Sequence, residues 1–141
     1  MKTIQNAILA ALCLMFISTL FFSCTKDDEV VTTTPIDNTA AFKGSFVSSA
    51  HPTSGQVTVN KEKTKVNFTN FKSDSGPDLD IYLVSNLSNV NGGFINLGDI
   101  KGLNGDYVYD LPANTDFTVY KHVVVWCVDF NVNFGYATLT P

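Results

Sequence analysis

The chain has 141 residues, with nine lysines and no arginine against thirteen acids, for a formal net charge of −4. Arginine is the residue best suited to phosphate and guanine contacts, and duplex or single-strand binding needs a basic face, so nucleic acid is excluded as a partner. The same balance excludes electrostatic docking onto anionic lipid.

Lys2 supplies a minimal positive n-region, and Ala7 to Phe22 form an apolar run broken only by Ser18 and Thr19. As a helix that run is roughly 24 Å long, short for a membrane span and better suited to a cleaved leader. Leu20-Phe21-Phe22-Ser23-Cys24 resembles a bacterial lipobox, in which a small residue precedes the cysteine that receives diacylglycerol. Residues 1–23 are therefore expected to be a lipoprotein signal peptide, with Cys24 as the acylated residue. Phe21 is larger than the commonest lipobox residue there, a looseness found in Bacteroidetes-type lipoproteins. Thr25-Lys26-Asp27-Asp28-Glu29 resembles the acidic signal that sends such lipoproteins to the outer face of the outer membrane; a plain solvated charge run is the alternative. The expected location is the cell envelope, lipid-anchored in the outer membrane and surface-exposed, with membrane attachment through the acyl chains of Cys24.

Residues 24–39 have no apolar periodicity and are rich in threonine and charge, as in a flexible tether. Residues 40–141 read almost wholly as strands. Phe42 to Ser49 is followed by the turn-rich His51-Pro52-Thr53-Ser54-Gly55. Gln56 to Asn60 and Thr64 to Phe71 flank a polar hairpin loop, and Leu79 to Val84 follows Ser75-Gly76-Pro77. Phe94 to Leu97 and Tyr107 to Leu111 are bounded by Gly/Asn turns. His122 to Val128 is nearly continuous in apolar residues, as in a central strand covered on both faces. Phe130 to Leu139 places Phe130, Val132, Phe134 and Tyr136 on one face. Thr115 to Lys121 could form only a helical turn. The expected fold is all-β, a single antiparallel β-sandwich or barrel of about eight short strands.

Of three cysteines, Cys13 leaves with the leader and Cys24 becomes a thioether, so Cys127 is the lone thiol of the body. An odd cysteine in an exported protein is a reactive thiol, a ligand, an intermolecular partner, or simply a small buried hydrophobe. Alternation puts Cys127 on one face with Val123 and Val125, and Val124, Trp126 and Val128 on the other. His122, five residues away, then points away from Cys127, which leaves His51 as the better candidate to meet it. A blue-copper set needs a histidine and a methionine shortly after the cysteine, and neither is there. Zinc would need a further carboxylate ligand, and no metal site is expected. Asp78 and Asp80 are two apart and expected on one side of a strand. Such a pair could hold calcium or do acid–base work, and turn chemistry favours Asp78 as a loop cap. No nucleophile elbow, phosphate loop or metalloprotease helix is present, which leaves hydrolysis the least supported class.

Several ordered motifs together are similar to one extracellular domain. Phe42-Lys43-Gly44-Ser45-Phe46 and His51-Pro52-Thr53-Ser54-Gly55 resemble the opening of the DM-thirteen domain. Phe68-Thr69-Asn70-Phe71 with Ser75-Gly76-Pro77-Asp78-Leu79 is similar to its middle motif. Asp110-Leu111-Pro112, Val124-Val125-Trp126-Cys127 and Phe134-Gly135 resemble its close. The resemblance covers about residues 40–140. It departs from many relatives at Val128-Asp129, where they look basic. It implies an extracellular β-domain with an electron-transfer role, whose cysteine in Trp-Cys is a naked thiol or a ligand to a prosthetic group. On that basis Cys127 is the expected redox thiol or ligand, with His51, Asp78 and Trp126 as candidates around a cofactor. The cofactor itself stays open between non-covalent haem and none. The expected function is an envelope electron-transfer module with a redox partner rather than an established enzyme. The alternative is a non-enzymatic module that holds envelope polysaccharide or protein, with Tyr82, Tyr107 and Tyr109 as stacking surface aromatics.

Overall fold

A computed structural model describes residues 40–141. The expected leader, Cys24 anchor and tether lie outside the described residues. The body is all-β, as expected from the closely spaced turns and alternating segments. Its elements are β1 (Phe42–Ser48), β2 (Thr53–Val59), β3 (Lys65–Ser73), β4 (Leu79–Val84), β5 (Phe94–Asp99), β6 (Asn104–Asp110), β7 (His122–Cys127) and β8 (Val132–Thr138). A single 3-10 turn, Val90–Gly92, lies between β4 and β5. Thr115 to Lys121 contains one hydrogen-bonded turn, closed by Tyr120 N–H on the Asp116 carbonyl (2.8 Å), and no helix.

The strands form one antiparallel sheet in the order β5-β4-β7-β8-β1-β2-β3-β6, which curls into a nearly closed barrel. Strand β1 makes the corner: Phe42 to Ser45 pair with β2, and Phe46 to Ser48 pair with β8. Gly44 sits at this corner because a Cβ there would lie 2.5 Å from the Thr138 carbonyl oxygen. The edge strands β5 and β6 are bridged by the short loop between them. Lys101 N–H donates to the Tyr109 hydroxyl (2.9 Å), and its ammonium lies 4.9 Å from the centroid of the Tyr109 ring. Its Nζ also donates to the Val108 carbonyl on the open edge. An edge capped in this way is a poor template for another chain.

Inside the barrel, Phe46 packs edge-on against Phe68 and Phe71 (ring centroids 5.0 and 5.1 Å). Val57, Val66, Ile81, Leu83, Val123 and Val125 join them in the main core. A second cluster lies on the outer face of β4 and β7: Tyr82, Val84, Val124 and Trp126, packed with Val90 and Leu87 from the β4–β5 connection. Both strands are therefore buried on two faces, which is why their sequences are almost unbroken apolar runs.

One expected face is corrected. Val132 and Phe134 pack on the main core, but Tyr136 packs on the outer cluster and Phe130 is 68 % exposed in the β7–β8 turn. The cause is a β-bulge: Val125 pairs with Gly135 while Trp126 pairs with Asn133, so side-chain parity flips between them. Gly135 permits the bulge to press on β2, since a Cβ there would lie 2.3 Å from that of Thr53.

Candidate functional site at the motif end of the barrel

With every neighbouring pair antiparallel, the β1–β2, β3–β4, β5–β6 and β7–β8 connections all emerge at one end of the barrel. That end carries His51-Pro52, Ser75-Gly76-Pro77-Asp78 and the β7–β8 turn that follows Cys127. The main chain ties them together. Ser49 and His51 N–H groups donate to the Phe134 carbonyl (2.9 and 3.1 Å), and Val128 N–H donates to the Asp78 carbonyl (2.9 Å). Segments far apart in sequence thus meet where the sequence motifs placed their candidate residues.

Cys127 ends β7, paired with Leu79 of β4 and Val132 of β8. It is a free cysteine with no exposed surface, inside the main core with Val123, Val125, Leu79 and Phe134. Gly76 packs on this group: a Cβ on it would meet Leu79 Cδ2 at 2.8 Å and Phe134 Cζ at 2.9 Å. His51 stacks on Phe134 with ring centroids 3.9 Å apart, and its Nδ1 lies 3.3 Å from the Asp74 carboxylate. Asp74 was not singled out in the sequence; its only signal was its place between the Ser73 strand end and the Ser75-Gly76 turn. A surface recess of about 270 Å³ is lined by His51, Gly76, Pro77, Phe130, Val132 and Phe134. His51 and Cys127 therefore share this end, with Val132 and Phe134 standing between the recess and the core.

The other candidates separate from Cys127. Trp126 faces the outer cluster, as the alternation predicted, and His122 faces the same side, where it lies edge-on to Tyr136 and 3.0 Å from Thr138 Oγ1. Burial and the neighbouring Lys121 hold the His122 imidazole below its ordinary range. The Asp78–Asp80 pair is corrected. Asp78 precedes the strand and is exposed, whereas Asp80 is buried on the outer face and accepts from Asn96 Nδ2 (2.8 Å). Among the described residues, it is the main-chain carbonyl of Asp78, rather than its carboxylate, that holds the loop. Partial loss of solvent, then the negative charges of Asp80, Asp129 and Asp99, push the Asp78 carboxyl above its usual range. Tyr82 and Tyr109 are corrected too, since both are buried and cannot stack on a sugar. Tyr107 folds its hydroxyl back onto the Asn104 carbonyl (2.8 Å).

The family model described as Electron transfer DM13 matches residues 45–139. The chain belongs to that family. No curated protein and no solved structure matches it. The DM13 match spans the strands and loops that build the motif end, from Ser45 to Leu139, and Phe42-Lys43-Gly44 precede it.

A haem ligated by Cys127 does not fit the DM13 domain in this arrangement. The sulfur is enclosed by core side chains and lines none of the recesses of about 270, 340 and 360 Å³ at this end of the barrel. Among the described residues no three His, Cys, Asp or Glu side chains converge as metal ligands.

Proposed function

We propose that the chain is an envelope electron-transfer module, held outside the cell by acyl chains on Cys24, in which Cys127 is the redox-active group. The observation that carries this reading is the convergence of three distant DM13 motif segments on the end of the barrel where Cys127 lies. Burial determines which chemistry is open to it. Thiol–disulfide exchange needs a second sulfur to reach the thiolate, and a metal needs an open coordination path. A fully enclosed thiol meets neither requirement until the loop at Ser75 to Asp78 moves. One-electron oxidation of the thiol to a thiyl radical needs no such opening for the partner, because the electron crosses a packed wall that atoms cannot, while the S–H proton is released to solvent. The partner is then a redox protein of the envelope, docked at the surface rather than bonded to the sulfur.

The test is a reductive and oxidative titration of the purified lipidated chain beside Cys127→Ala. Reversible one-electron oxidation that disappears in the variant, with the β-rich circular dichroism unchanged, is the expected result. Equal behaviour of both proteins would overturn the assignment to Cys127. The anchor is tested separately: labelled palmitate enters the wild type and not Cys24→Ala, and protease added to whole cells removes the domain from the surface.

A further inference from the structure

The outer cluster contains an aromatic array. Trp126, the chain's one tryptophan, is peptide-bonded to Cys127 and is 7 % exposed. Its ring lies 6.4 Å from that of Tyr82, centroid to centroid, with an interplanar angle of 24°. Tyr82, 5 % exposed, stacks in turn on Phe94 at 4.2 Å and 10°. Phe94 is 39 % exposed on the edge strand β5. The array thus crosses three adjacent strands from the residue beside the core thiol to the protein surface.

Beside Tyr82 stands a proton acceptor. Asp80 is two residues earlier on the same face of β4, is 7 % exposed, and is oriented by Asn96. A buried carboxylate is costly unless partnered; its hydrogen-bond partner here is the Asn96 amide, and Tyr82 is its neighbour on the same face of β4. Burial, then the Asp80 carboxylate, and more weakly the charge of Asp78, hold the phenol above its ordinary range, so the proton stays on oxygen until the ring is oxidised. Tyrosine and tryptophan are, with cysteine, the protein side chains most readily oxidised by one electron, and a tyrosine gives up that electron easily only when its proton has a base to receive it.

We propose that Tyr82 and Trp126 form a one-electron relay between the surface at Phe94 and the neighbourhood of Cys127, with Asp80 as the proton acceptor of Tyr82. This rests on the electron-transfer reading of the domain but not on Cys127 itself. In the step, a one-electron oxidant of the metal-complex class, docked at Phe94, takes one electron from Tyr82. The phenolic O–H bond breaks and its proton forms the O–H bond of a neutral Asp80 carboxyl, which leaves a neutral tyrosyl radical. The radical is returned to phenol when Trp126 gives it one electron and the same proton moves back from Asp80, which leaves the hole on Trp126 as its indole radical cation.

The test uses the full chain in detergent with a photogenerated ruthenium(III) polypyridyl oxidant, followed by rapid freezing and electron paramagnetic resonance. The wild type is expected to give a tyrosyl signal. In Tyr82→Phe that signal is lost and a tryptophan radical replaces it, which can only be Trp126. Asp80→Asn keeps the aromatic array, removes the base and lowers the tyrosyl yield; this second variant keeps the test decisive if Tyr82→Phe is poorly folded. A tyrosyl signal undiminished in Tyr82→Phe would overturn the relay, because the other four tyrosines would then carry it. So would an unchanged yield in Asp80→Asn. Cys127→Ala separates the two proposals: a Tyr82 radical that survives there supports the relay even if the thiol proves redox-silent. Its loss in a folded Cys127→Ala protein would overturn a relay independent of the thiol.

Discussion

Gly76→Ala tests whether the β3–β4 loop seals the core around Cys127. The new methyl group would start 2.8 Å from Leu79 Cδ2 and 2.9 Å from Phe134 Cζ, so one or both side chains must shift. Overpacking of this kind costs about 1–3 kcal/mol. In urea, with a slope of about 1–3 kcal/mol per molar, a cost near 2 kcal/mol lowers the unfolding midpoint by about 1 M. The second readout is the rate at which an aromatic disulfide reagent modifies Cys127 under native conditions. A buried thiol reacts only through opening, so that rate should rise about 5- to 140-fold for a loss of 1–3 kcal/mol. A wild-type thiol that reacts as fast as a free one would refute the enclosure. An unchanged midpoint together with an unchanged thiol rate in Gly76→Ala would refute the role of the loop.

Other perturbations follow from the same contacts. Cys127→Ser places a hydroxyl among Val123, Val125 and Leu79 and is expected to cost about 1–3 kcal/mol in chemical denaturation if the hydroxyl finds no partner. The His122 imidazole is held below 6.5 in the folded state, so folding favours its neutral form. That contribution to stability is complete above about 6.5 and is lost as the pH drops from there through the lower folded-state value; His122→Gln should flatten this part of the pH profile. Lys101→Met removes the ammonium from the Tyr109 ring and the Val108 carbonyl, and is expected to cost about 0.5–1 kcal/mol and to speed hydrogen exchange in β6.

The alternation in β4 and β7 made most of the fold legible. Val123, Val125 and Cys127 face inward and Val124, Trp126 and Val128 outward, as period-two spacing requires. Parity alone also separated His122 from Cys127. What stayed hidden depended on irregularity. The Asn133–Gly135 bulge reverses the face of Tyr136, and nothing in Phe134-Gly135-Tyr136 marks the extra residue except the glycine. Strand β2 begins at Thr53 rather than Gln56 because His51 to Gly55, rich in turn residues, still pairs through Thr53 and Ser54 with β3. Asp74 and Asp80 were undervalued or misread for a related reason. Their partners, His51 and Asn96, lie 23 and 16 residues away, and no local pattern announces a pair brought together by sheet order.

The central claim, that this DM13 domain moves electrons through Cys127, is tested most directly by film voltammetry of the full chain and its Cys127→Ala variant on the same electrode. A reversible wave in the wild type that is absent from an equally folded Cys127→Ala protein is the predicted result. Identical traces from the two proteins, or no wave in the wild type, would contradict it.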